Sequence, residues 1–327
     1  MRMKIGLVDV DAASRRKVTF PNLVLMKLSA WHKSRGDSVE WVPRDDVVKF
    51  DRVYMSKVYS DEYSPEYRFP IWADEIIRGG SGYAITIEDG REIYRKENDS
   101  PLPYEIEHIY PDYDLYPQFK STAFGFLTRG CPRGCAFCHV AGMQGRAVRR
   151  VADLSEFWRG QRNIVLLDPN ITASRECIGI FRELADTGAK IEFNQGLDVR
   201  LMDVEKIRAL NEIRYRMIHF AWDDPNDDLR PDFERLAKHL RIVNRRKVSA
   251  YVLTNFGSTH EEDLSRIMFL RDLGIQPYVM IYRKTTAPIE TKRLQRWCHP
   301  RIFWTVPTFD EYEITCKNKT SGGGSEL

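Results

Sequence analysis

Apolar positions in the first hundred residues fall into short runs separated by turn-forming residues. KIGLVDV (4–10) has the length and apolar content of a strand. PNLVLMKLSAWHKSRGD follows, with apolar residues at 23, 24, 28 and 31 in helical spacing and Gly36 as the stop. SVEWV (38–42) and RVYMSKVY (52–59) predict two further strands. YAITIEDGREIYR (83–95) predicts a hairpin turning at Asp89-Gly90, because both central residues of that turn type need positive φ. The segment 98–117 is rich in proline, tyrosine and acidic residues and reads as an interdomain linker.

Beyond it the pattern becomes regular. Strand-like runs recur at 122–127, 163–167, 190–195, 216–221, 248–254 and 276–282, with helical patterns between them. Six βα units predict an α/β fold in which a parallel sheet curls into a partial (β/α)6 TIM-like barrel. The strand–helix–strand start predicts a smaller open sheet of the Rossmann type before it. No GxGxxG follows the first strand, so dinucleotide binding gains no support. The expected domains are 1–97 (Rossmann-like), a linker at 98–117, the barrel at 118–300 and a C-terminal extension at 301–327 with a flexible tail, TSGGGSEL, that is given no function.

Charge adds little. A formal net charge of +3 is too small to argue for nucleic acid by itself, although Arg149-Arg150 and the group Arg241, Arg245, Arg246 and Lys247 form local basic clusters. Interleaved with aromatic residues, such clusters could bind RNA, but the helix dipole also favours cationic helix ends, and that reading is preferred. No apolar run approaches the ~18 residues of a membrane span. Asp9 and Asp11 interrupt the N-terminal apolar run too early for a signal peptide. A cytoplasmic protein with reduced thiols is expected, which disfavours a disulfide staple.

Of six cysteines, three fall within GCPRGCAFCH (130–139), directly after the first barrel strand. Catalytic groups of such barrels sit at the C-terminal ends of the strands. The spacing is Cys131-x3-Cys135-x2-Cys138, and Gly130, Pro132 and Gly134 keep the loop tight. Zinc would recruit His139 as a fourth ligand, but no second CxxC or HxxxH completes that pattern. CAFCH matches a haem-attachment string without an exported context. Three thiolates on a [4Fe–4S] cluster would leave one iron open to a ligand.

With this loop, Phe137 before its last cysteine and the six βα units behind it, residues 115 to 300 resemble the radical S-adenosylmethionine family. The resemblance implies that Cys131, Cys135 and Cys138 bind the cluster and that S-adenosylmethionine occupies the open iron. Reductive cleavage would then give a 5′-deoxyadenosyl radical that takes hydrogen from an unidentified small molecule, peptide or RNA. A reductant such as flavodoxin or ferredoxin is implied as partner. Phe137 is implied to lie against the cofactor. Asp168 and Asn170 stand where the family often carries a glycine-rich motif for the cofactor's amine. That motif is absent here, and the alternative is that Asp168-Pro-Asn caps a helix beginning near Ala173.

FNQGLDVR places Asn194, Gln195, Asp198 and Arg200 at a strand end. Arg200 suits the cofactor's carboxylate through its planar fork, and Gln195 and Asp198 suit its amine, its ribose hydroxyls or the substrate; an Asp198–Arg200 salt bridge is the alternative. Asp223, Asp224, Thr254 and Asn255 end the next strands as weaker candidates, as turn or cap residues also do. Cys177 is expected to be packed. Cys298 and Cys316 are too far apart for the usual auxiliary cluster. The N-terminal sheet resembles the cobalamin-binding type, but its DxHxxG motif is missing around His32, so cobalamin stays open and is not favoured. A zinc- or cluster-containing binding or electron-transfer protein is the alternative function.

Overall fold

The protein is described from a computed structural model, which covers residues 2–13, 18, 20–45, 47–241 and 247–314. Arg245, Arg246, Cys316 and the glycine-rich tail lie outside the described residues. The chain is mixed α/β with parallel sheets and divides into two compact units, Met1–Val165 and Leu166–Leu327.

In the first unit, β1 (Lys4–Asp9), β2 (Ser38–Trp41), β3 (Lys49–Ser56) and β4 (Trp72–Gly79) form a parallel sheet of order β2-β1-β3-β4. The helix Leu23–Ser34 starts where Asn22 accepts the Leu25 N–H (3.1 Å) and stops before Gly36 at φ +83°. Its Leu25 and Leu28 pack with Ile5 and Leu7, whereas Val8, Phe50, Val53 and Met55 build a second apolar cluster. The expected hairpin is present: β5 (Ile85–Glu88) pairs antiparallel with β6 (Arg91–Tyr94), and Asp89 and Gly90 take φ +47° and +70°. His32 is consumed structurally, with Nδ1 2.7 Å from Asp37 Oδ2 and Nε2 3.1 Å from the Tyr54 hydroxyl.

The segment 98–117 is packed, whereas its composition suggests a linker. Tyr113 donates to Phe157 O (2.8 Å) and Tyr116 to Asp9 Oδ2 (2.6 Å), and both rings are buried. After it come β7 (Thr122–Gly125), β8 (Thr128–Arg129), β9 (Arg149–Arg150) and β10 (Asn163–Leu166).

The second unit alternates helices with β11 (Lys190–Leu197), β12 (Tyr215–Ala221), β13 (Val248–Thr254) and β14 (Gln276–Ile281), paired in parallel in sequence order. Two of the helix starts are fixed by side-chain caps. Asp203 accepts the Lys206 N–H (2.8 Å) for Val204–Leu210, and Thr259 with Glu262 forms a capping box for His260–Asp272. The helix after β10 runs Cys177–Asp186, so it starts later than expected; the chain first makes a short 3₁₀ turn at Ile171–Ala173. Among the described residues no helix is long and apolar enough to cross a membrane.

Candidate functional site

The cysteine loop is carried by a minimal hairpin. β8 and β9 pair antiparallel, Thr128 opposite Arg150 and Arg129 opposite Arg149, so residues 130–148 form a loop closed at its base. The Cys131 N–H donates to Gly145 O (3.0 Å) and the Gly130 N–H to Gln144 Oε1 (3.3 Å). Gly130 is required here: φ is +100°, and a Cβ would stand 2.2 Å from Ala147 O. Cys135 and Cys138 flank one turn closed by the Cys138 N–H to Cys135 O bond (3.0 Å). Both are exposed, while Cys131 and Phe137 are half-buried.

Charged contacts fix the stem. Arg129 donates to Glu107 Oε1 (2.9 Å) with its guanidinium 4.1 Å from the Phe126 ring centre. Lys27 meets the same carboxylate oxygen at 3.0 Å. Burial lowers the Lys27 pKa against the opposing pull of Glu107. Burial opposes ionisation of Glu107 as well, but Lys27 and Arg129 together bring its carboxyl below the usual value. His139 approaches Glu92 Oε2 (3.4 Å), and this contact, ahead of burial, sets the lowered Glu92 pKa. Among the described residues no three His, Cys, Asp or Glu side chains are gathered for a metal ion. The loop therefore carries three thiol donors on a short closed segment without a preformed cage. That donor set fits a thiolate-ligated iron cluster better than a zinc site recruiting His139, which is engaged with Glu92.

In the second unit several strand-end candidates meet. Asn170 is buried and donates to Asp198 Oδ2 (3.4 Å) while accepting from the Thr172 hydroxyl (2.7 Å). The Asp198 N–H donates to Thr172 Oγ1 (3.2 Å). Arg200 Nε donates to Asp198 Oδ1 (2.7 Å) and Nη1 to Asp227 Oδ2 (2.5 Å). The alternative salt bridge is thus formed, and Arg200 is held by two carboxylates. Asp168 is buried nearby in sequence, and Gln195 is exposed. Thr172 and Asp227 escaped the sequence reading; the DPNIT and DDPNDD strings were the only signals for them.

Asp223 is half-buried at the end of β12. Burial raises its carboxyl to about 6, against the opposing charges of Arg266 and Arg200. Arg266 clamps the strand ends beside it, donating to Trp222 O (2.7 Å) and Leu253 O (3.0 Å). Thr254 is buried and donates to Met280 O (3.3 Å), and Asn255, at φ +62°, donates to Tyr282 O (2.8 Å). Asp224 is exposed and accepts from the Asn226 N–H (2.9 Å). Cys177 is buried with its thiol pushed up to about 12, and burial also raises the Cys298 thiol well above its usual value.

No protein-family model matches the chain. It is similar to enzymes named tRNA-2-methylthio-N(6)-dimethylallyladenosine synthase. The Bordetella pertussis enzyme is 31% identical over 129 residues, covering 35% of this chain and 26% of that protein. Its Bordetella avium counterpart is 28% identical over 142 residues (39% and 27%). For Xanthomonas oryzae pv. oryzae the figures are 28% over 164 residues (46% and 31%). The chain thus spans about a quarter to a third of the length of these relatives. This similarity is consistent with the resemblance of the cysteine loop to the radical S-adenosylmethionine family.

Proposed function

We propose that the chain is a radical S-adenosylmethionine enzyme in which Cys131, Cys135 and Cys138 hold a [4Fe–4S] cluster. The observation that carries this reading is the CxxxCxxC loop on a closed hairpin just after β7. When bound, such a cluster supplies the electron that cleaves S-adenosylmethionine to methionine and a 5′-deoxyadenosyl radical. In this reading residues 118–300 are the (β/α)6 barrel and 1–97 a Rossmann-like domain, with cobalamin not favoured. Asp168, Asn170 and Asp198 offer acceptors to the cofactor's ammonium. Arg200, oriented by Asp198 and Asp227, is the group proposed to meet the carboxylate. Phe137 and Gln195 complete the cofactor contacts.

The relatives' names point to an adenosine in tRNA, and an RNA nucleoside is the substrate class we propose. A flavodoxin or ferredoxin is the proposed reductant, and the cytoplasm the proposed location. The test is anaerobic reconstitution with iron and sulfide, addition of S-adenosylmethionine and dithionite, and quantification of 5′-deoxyadenosine. The product is expected from the wild type and absent from the Cys131→Ala, Cys135→Ala, Cys138→Ala variant. A colourless zinc protein sinks the proposal; a brown protein that never binds the cofactor supports an electron carrier instead.

A further inference from the structure

One face of the second unit's sheet is covered: Ile218, Phe220, Val248, Ala250, Val252 and Val279 are buried, and Phe220 meets Phe233 of the helix Arg230–His239. Residues of the alternate set line the other face. There the His219 ring lies parallel to the Tyr251 ring (centroids 4.9 Å apart, 7° between planes), and Tyr251 meets Tyr278 edge-on (5.5 Å, 85°). The row is fixed from behind. His219 Nδ1 stands 2.6 Å from Ser249 Oγ, and the Tyr251 hydroxyl donates to Asn194 O (2.9 Å). Gly196, at φ +87°, lets β11 approach; a Cβ there would come within 3.3 Å of the Tyr251 ring. Burial lowers the His219 pKa to about 4, so the imidazole is neutral near pH 7.

The outer end of this row is open to water. Tyr278 is 55% and Met280 45% exposed on β14, the last strand of the sheet. A row that merely filled an interior would bury them. Two acidic groups, Glu192 and Asp223, act electrostatically on Tyr251, and Arg266 and Arg200 act in turn on Asp223. Arg216 lies 3.5 Å from Glu192, already partnered.

We infer that the His219–Tyr251–Tyr278 row is a platform for a nucleobase bearing an exocyclic amine. Neutral ring faces stack on any base. The carboxyl groups of Glu192 and Asp223 beside the rings supply acceptor oxygens suited to the amine of a base. The inference rests on the RNA-nucleoside reading and assigns residues to it.

The test is equilibrium binding of the metal-free full chain to a short fluorescent oligoadenylate and to an abasic strand of equal length. The wild type is expected to prefer the oligoadenylate. Tyr278→Ala is expected to weaken that binding about tenfold or more, and Tyr278→Phe to retain it, because stacking by one ring is removed in the first and kept in the second. Unfolding curves verify that the exposed edge position leaves the fold intact. Equal binding by Tyr278→Ala and wild type, no preference over the abasic strand, or no binding by the wild type overturns the platform. Base preference without any 5′-deoxyadenosine production would remove the enzymatic reading and leave the platform. 5′-Deoxyadenosine without base preference would do the reverse.

Discussion

Replacing Arg266 by methionine is expected to destabilise the second unit severely. Arg266 and Asp263 are 4% and 3% exposed and meet at 2.5 Å within the helix His260–Asp272. Burial raises the Asp263 pKa, and the Arg266 charge is among the groups that oppose the rise. Methionine fills much of the space but leaves Asp263 without its buried counter-charge, a loss of ~3–5 kcal/mol. The carbonyls of Trp222 and Leu253 also lose donors at 2.7 and 3.0 Å, at about 1–3 kcal/mol each when left unsatisfied. These terms share one side chain and overlap, so the expected total is roughly 4–6 kcal/mol. For a unit of this size that lowers the melting temperature by roughly 10–20 °C. Urea unfolding followed by circular dichroism measures it. The double variant Arg266→Met, Asp263→Leu should recover a large part of the loss, because an apolar pair leaves no stranded charge. A loss below ~1 kcal/mol for Arg266→Met would refute the reasoning, since a clamp of this kind cannot be removed from a dry site so cheaply.

Two further expectations concern the loop and the sheet. Gly130→Ala must adopt φ +100° and place a Cβ against Ala147 O, so iron uptake by the loop should fall while the melting temperature of the chain moves only slightly; full uptake would show that the closed base is dispensable. Asp223, raised to about 6 from a usual carboxyl value near ~4, favours folding most below pH ~4, and that contribution is lost as pH rises through 6, at most about 3 kcal/mol. His219 acts in the opposite sense: with its pKa lowered to about 4, its contribution is present above pH ~6.5 and is lost as pH falls through 4. Urea midpoints between pH 4 and 6.5 should therefore rise with pH in Asp223→Asn and fall with pH in His219→Phe, with the wild type flatter than either. Parallel slopes in all three proteins would exclude the pair as the titrating groups.

Much of the order of elements is legible because strand runs of period two and helical runs of period 3.6 alternate cleanly. The runs at 122–127, 163–167, 190–195, 216–221, 248–254 and 276–282 correspond to β7 and β10–β14. β4 is not legible, because Trp72–Gly79 is an edge strand largely exposed on both faces and lacks an apolar alternation. The β8–β9 ladder escapes for another reason: Thr128-Arg129 and Arg149-Arg150 pair through backbone groups across an intervening loop, which side-chain chemistry does not announce. The packing of residues 98–117 is not legible from their proline and acidic content, because it depends on the partners to which Tyr113 and Tyr116 bond their hydroxyls. The cysteine loop is readable from spacing alone. The partners of Arg200 are not, since Asp227 comes from a different strand end, and Arg266 with Asp263 looks in sequence like ordinary helix-surface charge.

The closed base of the cysteine loop changes when its entropy is lost. A free peptide with three thiols must bring its ends together and gather its donors in the same event, and the closure part grows as about (3/2)RT ln n with loop length. Here the β8–β9 ladder and the Cys131 to Gly145 bond bring the ends together during folding. The three thiols are thus held on one short closed segment before any metal arrives, which raises their effective concentration as in a tethered chelator. The coupling is reciprocal. Any ion that the folded loop prefers over the unfolded chain must in turn hold the hairpin closed, and a chain that opens there surrenders its grip on the metal.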